Sequence, residues 1–197
     1  MIKIGLTGPT GAGKSTVASV FTQAGAYHID ADAVARTAVN TPATLRALAD
    51  TFGVAILRAD GTLDRKALAN VAFSSKQNTA KLNAITHPVI LAEIRRQLDA
   101  ATGTMAVLDV PLLFESGLDA LCDITVAVLA PKEIRRTRIM ARDGITAHAA
   151  TARMAAQPDD HFYIARATHI LHNDTTAANL IQAAKTLLTD IGGEYDA

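Results

Sequence analysis

A glycine-rich stretch, Gly8-Pro9-Thr10-Gly11-Ala12-Gly13-Lys14-Ser15-Thr16, fits the pattern G-x-x-x-x-G-K-[ST] of a phosphate-cradling loop. Glycines let the backbone fold tightly, so that its N–H groups point at phosphate oxygens. A helix opening at the end of the loop adds the partial positive charge of its N-terminus. Lys14 reaches terminal phosphates as a point charge, and the Ser15 hydroxyl is a ligand type suited to Mg²⁺. An incidental lysine in a glycine-rich turn would match the pattern too, so the flanks decide. Ile2-Lys3-Ile4-Gly5-Leu6-Thr7 reads as a buried strand, and Val17, Val20, Phe21 and Ala24 recur at helical spacing. Strand, loop and helix come in the order that phosphate binding requires.

Phosphoryl transfer also asks for a group to orient or deprotonate the acceptor, a metal ligand, and positive charge around the phosphoryl group. Asp30-Ala31-Asp32 follows a short strand, Ala26–Ile29, and helical pattern resumes through Val34, Ala35, Ala38 and Val39. Asp32 is the candidate for the acceptor hydroxyl. Asp30 competes with it but also suits a helix N-cap. Asp109 ends an apolar strand, where it could hold Mg²⁺ directly or through a water. Arg135, Arg138 and Arg142 share one helix face, with Arg136 beside it. That face is either solvated or a lid that closes on phosphates. For the lid, Asp143-Gly144 supplies a hinge, Arg138 and Arg142 are the preferred groups, and Arg153 is a weaker one. His87, before Pro88, reads as a loop hydrogen-bonder, and nothing near it has metal-ligand spacing. Leu112, Leu113 and Phe114 either face the acceptor or join the core.

These groups need elements to position them. Further strands are expected at Met105–Val110, Ile124–Leu129 and Thr168–Leu171. The pattern between about 41 and 102 is helical, with one helix ending near His87-Pro88, because the residue before a proline leaves the helical region. A parallel crossover needs only about a dozen residues, so the excess is expected as a helical lobe beside the sheet. The fold expected is α/β: a doubly wound, five-stranded parallel sheet of the P-loop NTPase type, with a helical acceptor lobe and a lid. The domain reading is a single P-loop kinase domain over 1–197. Its core is 1–40, 103–138 and 166–197, its lobe about 41–102 and its lid about 139–165. In such a sheet the loop, Asp30 and Asp32, and Asp109 all fall at carboxyl ends of strands, where ligands bind.

Composition narrows the classes further. Of 197 residues, 19 are Lys or Arg and 19 Asp or Glu, a balance that argues against a general binder of nucleic acid or anionic membrane. A hydrophobic fraction of 49% argues against disorder. Cys122 is the only cysteine, so no intrachain disulfide is possible; it reads as a small core residue. No signal peptide or membrane span is expected, and the chain is expected in the cytoplasm.

The sequence resembles the dephospho-CoA kinase family nearly from end to end. The resemblance rests on Gly5-Leu6-Thr7-Gly8 with Gly11 to Thr16, and on Ile29-Asp30-Ala31-Asp32 with Ala35-Arg36. It extends through Phe52-Gly53, Asp60-Gly61-Thr62-Leu63-Asp64-Arg65, and Leu82-Asn83 with His87-Pro88. Asp109-Val110-Pro111-Leu112-Leu113-Phe114-Glu115 is its most specific stretch, followed by Arg138 to Asp143 and Arg153-Met154 with Gln157. The resemblance implies transfer of the ATP γ-phosphate to the ribose 3′-hydroxyl of dephospho-CoA with Mg²⁺, the last step of coenzyme A synthesis. It puts the catalytic aspartate at Asp32, ATP phosphates on Gly11, Ala12, Gly13, Lys14, Ser15 and Thr16, and acceptor contacts at His87 and the Pro111–Glu115 turn, including Glu115. The implied partners are ATP and dephospho-CoA, with no nucleic acid and no membrane, for a monomer or weak homo-oligomer. Pro9-Thr10 and Ala167-Thr168 depart from the family pattern, and Asn173 is similar to its asparagine near the ATP base. The alternative is another small-molecule P-loop kinase, such as a nucleoside monophosphate kinase. A guanine-reading switch would need an N-K-x-D stretch, which the sequence lacks. A binding module without catalysis would not need Lys14, Ser15 and Asp32 all intact.

Overall fold

A computed structural model describes residues 1–195. The chain forms two compact units: Met1–Ile29 with Ala101–Ala197, and Asp30–Ala100.

The first unit is built on a five-stranded sheet: β1 (Ile2–Thr7), β2 (Tyr27–Asp30), β3 (Met105–Asp109), β4 (Ile124–Leu129) and β5 (His169–His172). Their order is β2-β3-β1-β4-β5, and β1 pairs in parallel with β3 and β4, as β4 does with β5. Side chains alternate across the sheet, so the two faces can be read from the strands. Ile2, Ile4 and Leu6 of β1, with Ile124, Val126 and Val128 of β4, meet α1 (Lys14–Gln23) and α9 (Ala177–Tyr195) through Val17, Phe21, Leu180 and Ala184. On the other face Ala127 and Leu129 pack against Tyr163 of α8 (Asp160–Ile164), and the space over Gly5 is filled by Leu113 and Cys122. Coverage on both faces explains why β4 is buried at every position and reads as an apolar run interrupted only by Thr125. Burial also pushes the Cys122 thiol up to about 12, which makes it an inert packing group.

Two further helices follow β4. Helix α6 (Lys132–Asp143) starts after Pro131 and stops at Gly144, whose φ of 64° closes it in the left-handed region. Helix α7 (Ala147–Ala155) is capped by Thr146, whose hydroxyl accepts from the amide of Ala149 at 3.3 Å.

The second unit holds α2 (Ala31–Ala38), α3 (Pro42–Phe52), α4 (Arg65–Ala72) and α5 (Lys76–Ala100). Val39, Leu48, Ile56, Leu63, Leu68 and Ala72 form its core, with Leu82, Ile85 and Ile90 of α5 packed against it. A turn at Arg58–Thr62 is closed by a Leu57–Leu63 bridge and by the Asp60 carboxylate, which accepts from the amide and hydroxyl of Thr62 at 2.9 and 2.6 Å. Those bonds hold the Asp60 carboxyl below the usual carboxylate range.

One expectation is corrected here. No helix ends at His87-Pro88; α5 runs through both residues. The residue before a proline is only biased away from helix, and a proline interior to a helix removes one hydrogen bond while apolar packing on either side keeps the helix going. Thr86, Ile94 and Leu98 are buried, which ties the two halves of α5 into the unit.

Candidate active site

Strand β1 delivers the glycine loop to the rim of the sheet. Gly8 has φ 142°, and a Cβ there would lie 2.3 Å from the Val128 carbonyl oxygen, so only glycine lets the loop start this close to β4. Gly13, at φ 108°, opens α1, and no side chain caps that helix. The Thr16 amide donates to the Gly13 carbonyl at 3.0 Å, and the amides of Lys14 and Ser15 stand at the positive end of the helix without a backbone partner among the described residues. Thr7 donates its hydroxyl to the Pro111 carbonyl at 3.2 Å, tying the loop's base to the turn after β3.

Asp109 ends β3 beside Leu6 of β1, which places its carboxylate next to the loop. Lys14 Nζ donates to Asp109 Oδ1, and both side chains are largely shielded from water. Asp109 Oδ2 lies 3.7 Å from His28 Nε2, a neighbour that sequence reasoning missed because nothing in the spacing of 28 and 109 signals that β2 and β3 are adjacent. The hydroxyl of Ser15 and the carboxylate of Asp109 are hard oxygen donors of the kind Mg²⁺ takes. Among the described residues no cluster of three or more His, Cys, Asp or Glu could hold a metal by itself.

The arginines of α6 separate into different roles. Arg138 donates to the Gly11 carbonyl at 3.3 Å and to Asn173 Oδ1 at 3.2 Å, beside the loop. Arg135 is 3% exposed and pairs with Asp160 at 3.3 Å. Arg142 is exposed and grips its neighbour Asp143 in bidentate fashion at 2.7 and 2.9 Å, and Arg153 donates to the same carboxylate. These two guanidiniums, Arg142 first, pull the Asp143 carboxyl down to about 2. Arg142 is thus held at the C-terminal end of α6, and among the described residues no hydrogen bond or ion pair joins it to the loop.

Asp30 caps α2, accepting from the amide of Ala33 at 3.0 Å. Asp32 stands exposed in the first turn of that helix, with no hydrogen bond or ion pair among the described residues. His87 is exposed within α5. In the turn after β3, Leu112 is 52% exposed, Phe114 is half-buried and Glu115 is exposed. Leu113 is a correction to the expected acceptor set: it is fully buried over Gly5 and serves the core. Phe114 lies edge-on to Phe162 of α8 at 6.1 Å.

A family model described as Dephospho-CoA kinase matches residues 2–179. The chain belongs to the dephospho-CoA kinase family. It is 44% identical over 195 residues to the dephospho-CoA kinase of Anaeromyxobacter dehalogenans, covering 96% of this chain and 92% of the relative. Identity to the dephospho-CoA kinase of Corynebacterium glutamicum is 42% over 196 residues, covering 97% and 98%. A crystal structure of a Thermus thermophilus protein superposes with a TM-score of 0.83 at 35% identity, covering 96% of this chain and 97% of that one. Agreement over the whole length means that the family resemblance does not rest on the glycine loop alone, and it leaves a nucleoside monophosphate kinase without support.

Proposed function

We propose that this kinase transfers the γ-phosphoryl group of ATP to the ribose 3′-hydroxyl of dephospho-CoA, giving coenzyme A and ADP, with Asp32 aligning the acceptor hydroxyl and taking its proton. The observation that carries the reading is full-length similarity to dephospho-CoA kinases in a chain whose glycine loop, Lys14 and Asp109 are assembled at one sheet rim. Gly11 to Thr16 would line the phosphates: the Ala12 and Thr16 amides donate to the Pro9 and Gly13 carbonyls at 3.1 and 3.0 Å, and those of Gly11, Gly13, Lys14 and Ser15 are left for phosphate oxygens. Lys14 has three N–H donors, so its contact with Asp109 leaves two for phosphate oxygens. Ser15 and Asp109, the latter directly or through a water, would hold Mg²⁺, which neutralises charge on the β- and γ-phosphates. Arg138 keeps donors free beyond its bonds to Gly11 and Asn173, so it can stabilise the transferring group from beside the loop. Arg142 and Arg153 would exchange Asp143 for phosphate oxygens as the Gly144 hinge turns. His87, Leu112, Phe114 and Glu115 are assigned to the acceptor on the family resemblance. A cytoplasmic, monomeric or weakly self-associating enzyme fits the balanced charge and the absence, among the described residues, of any helix long and apolar enough to cross a membrane.

The test is transfer from ATP–Mg²⁺ to dephospho-CoA, adenosine, AMP, CMP and gluconate, with product masses read directly. We expect one added phosphoryl on dephospho-CoA alone, abolished by Lys14→Ala. Transfer to another acceptor would keep the kinase and reject the substrate.

A further inference from the structure

Three consecutive residues of the glycine loop are tied through their backbone to side chains from distant segments. The Thr10 amide donates to Gln157 Oε1 at 2.9 Å, the Gly11 carbonyl accepts from Arg138, and the Ala12 carbonyl accepts from Asn173 Nδ2 at 2.7 Å. Asn173 is the hub of this set. Its backbone amide donates to the Leu129 carbonyl at 2.7 Å, which fixes it to the end of β4. Its Oδ1 receives Arg138, and the whole residue is 4% exposed. Its Nδ2 also fills the space beside Gly13, where a Cβ would come within 2.3 Å of it. In this arrangement the side-chain amide serves the loop with one donor and Arg138 with its oxygen.

We propose that Asn173 is a positioning residue: it holds the loop in its phosphate-binding shape and aims Arg138 alongside it. A loop already in shape loses less freedom when phosphates arrive, and donors fixed in advance need no reorganisation at the moment of transfer. Removing the amide leaves the Ala12 carbonyl without its buried partner and lets Gly11–Gly13 relax. The assignment deepens the phosphate-binding reading and rests on it, but not on the identity of the acceptor.

The test uses ADP binding by calorimetry, thermal melting, and steady-state kinetics for the wild type, Asn173→Ala and Asn173→Asp. Loss of a buried hydrogen bond of this kind weakens binding by about tenfold. We expect both variants to bind ADP about tenfold less tightly and to raise the KM for ATP with that for the acceptor unchanged. Asn173→Asp keeps an oxygen for Arg138 but turns a second one on the Ala12 carbonyl, so it should retain more kcat than Asn173→Ala. The kcat losses of Asn173→Ala and Arg138→Ala should overlap rather than multiply in the double variant. A lower melting temperature with unchanged ADP affinity would make Asn173 a packing residue and overturn the proposal. If Asn173→Ala does not fold, full ADP affinity in the isosteric Asn173→Asp would overturn it equally. Wild-type binding of ADP without transfer to dephospho-CoA would reject the substrate alone, leaving ADP affinity to judge Asn173.

Discussion

At the scale of single residues, two aspartates two positions apart stand in different surroundings. Asp30 spends its carboxylate on the amide of Ala33 and sits 3.9 Å from Arg36, as an N-cap should. Asp32, exposed in the first helical turn, has no side-chain hydrogen bond or ion pair among the described residues, so its carboxylate is free for the proposed acceptor hydroxyl. Asp32→Ala should lower kcat by about a hundredfold or more, the loss expected of a general base, with ADP affinity unchanged. Near-normal turnover in a steady-state assay would return the role to Asp30 or to water. Lys14 and Asp109 show the converse case: their pairing was not legible in the sequence, because 95 residues separate them and only the β1–β3 register closes the gap.

At the scale of elements, α5 is the instructive case. Its pattern broke at His87-Pro88 on the page but not in space. Pro88 offers no N–H to the carbonyl of Ala84, yet Ile85 and Ile90 lie on either side of it against the same core. Burial of that stripe outweighs one missing bond. Pro88→Ala should restore the bond and raise stability by about 2 kcal/mol, the helix-interior penalty of proline less the freedom alanine returns to the unfolded chain. Urea unfolding monitored by circular dichroism measures this; a fall in stability would mean that the core needs the proline's bend. The α6 face shows a different limit. Helical spacing put Arg135, Arg138 and Arg142 on one side, but the neighbours of each decided its work: Asp160 for the first, the glycine loop for the second, Asp143 for the third.

At the scale of the whole molecule, the sheet is the frame that the chemistry stands on. Its α1–α9 face is closed by residues 170 positions apart in the chain, with Phe21 fully buried among them. Phe21→Ala should cost about 3–5 kcal/mol through lost burial and the cavity left behind. A chemical denaturation midpoint that falls with an unchanged slope would register it, and a loss under 1 kcal/mol would mean that the face re-closes around the gap. Because the charge of the chain is balanced, the proposed phosphate binding falls to local features: the loop amides, Lys14 and Arg138.

The sequence by itself determined the phosphate loop, the five strands and their helical partners, because glycine spacing, apolar alternation and capping residues are local signals. It also carried the family, through short stretches scattered along nearly the whole chain. Only the tertiary structure decided that Leu113 is core, that Lys14 meets Asp109, that His28 stands beside them, and that Asn173 braces the loop. Each depends on strand order and on which face a turn folds over, and those follow from the simultaneous burial of distant apolar residues. No short stretch of sequence contains that information.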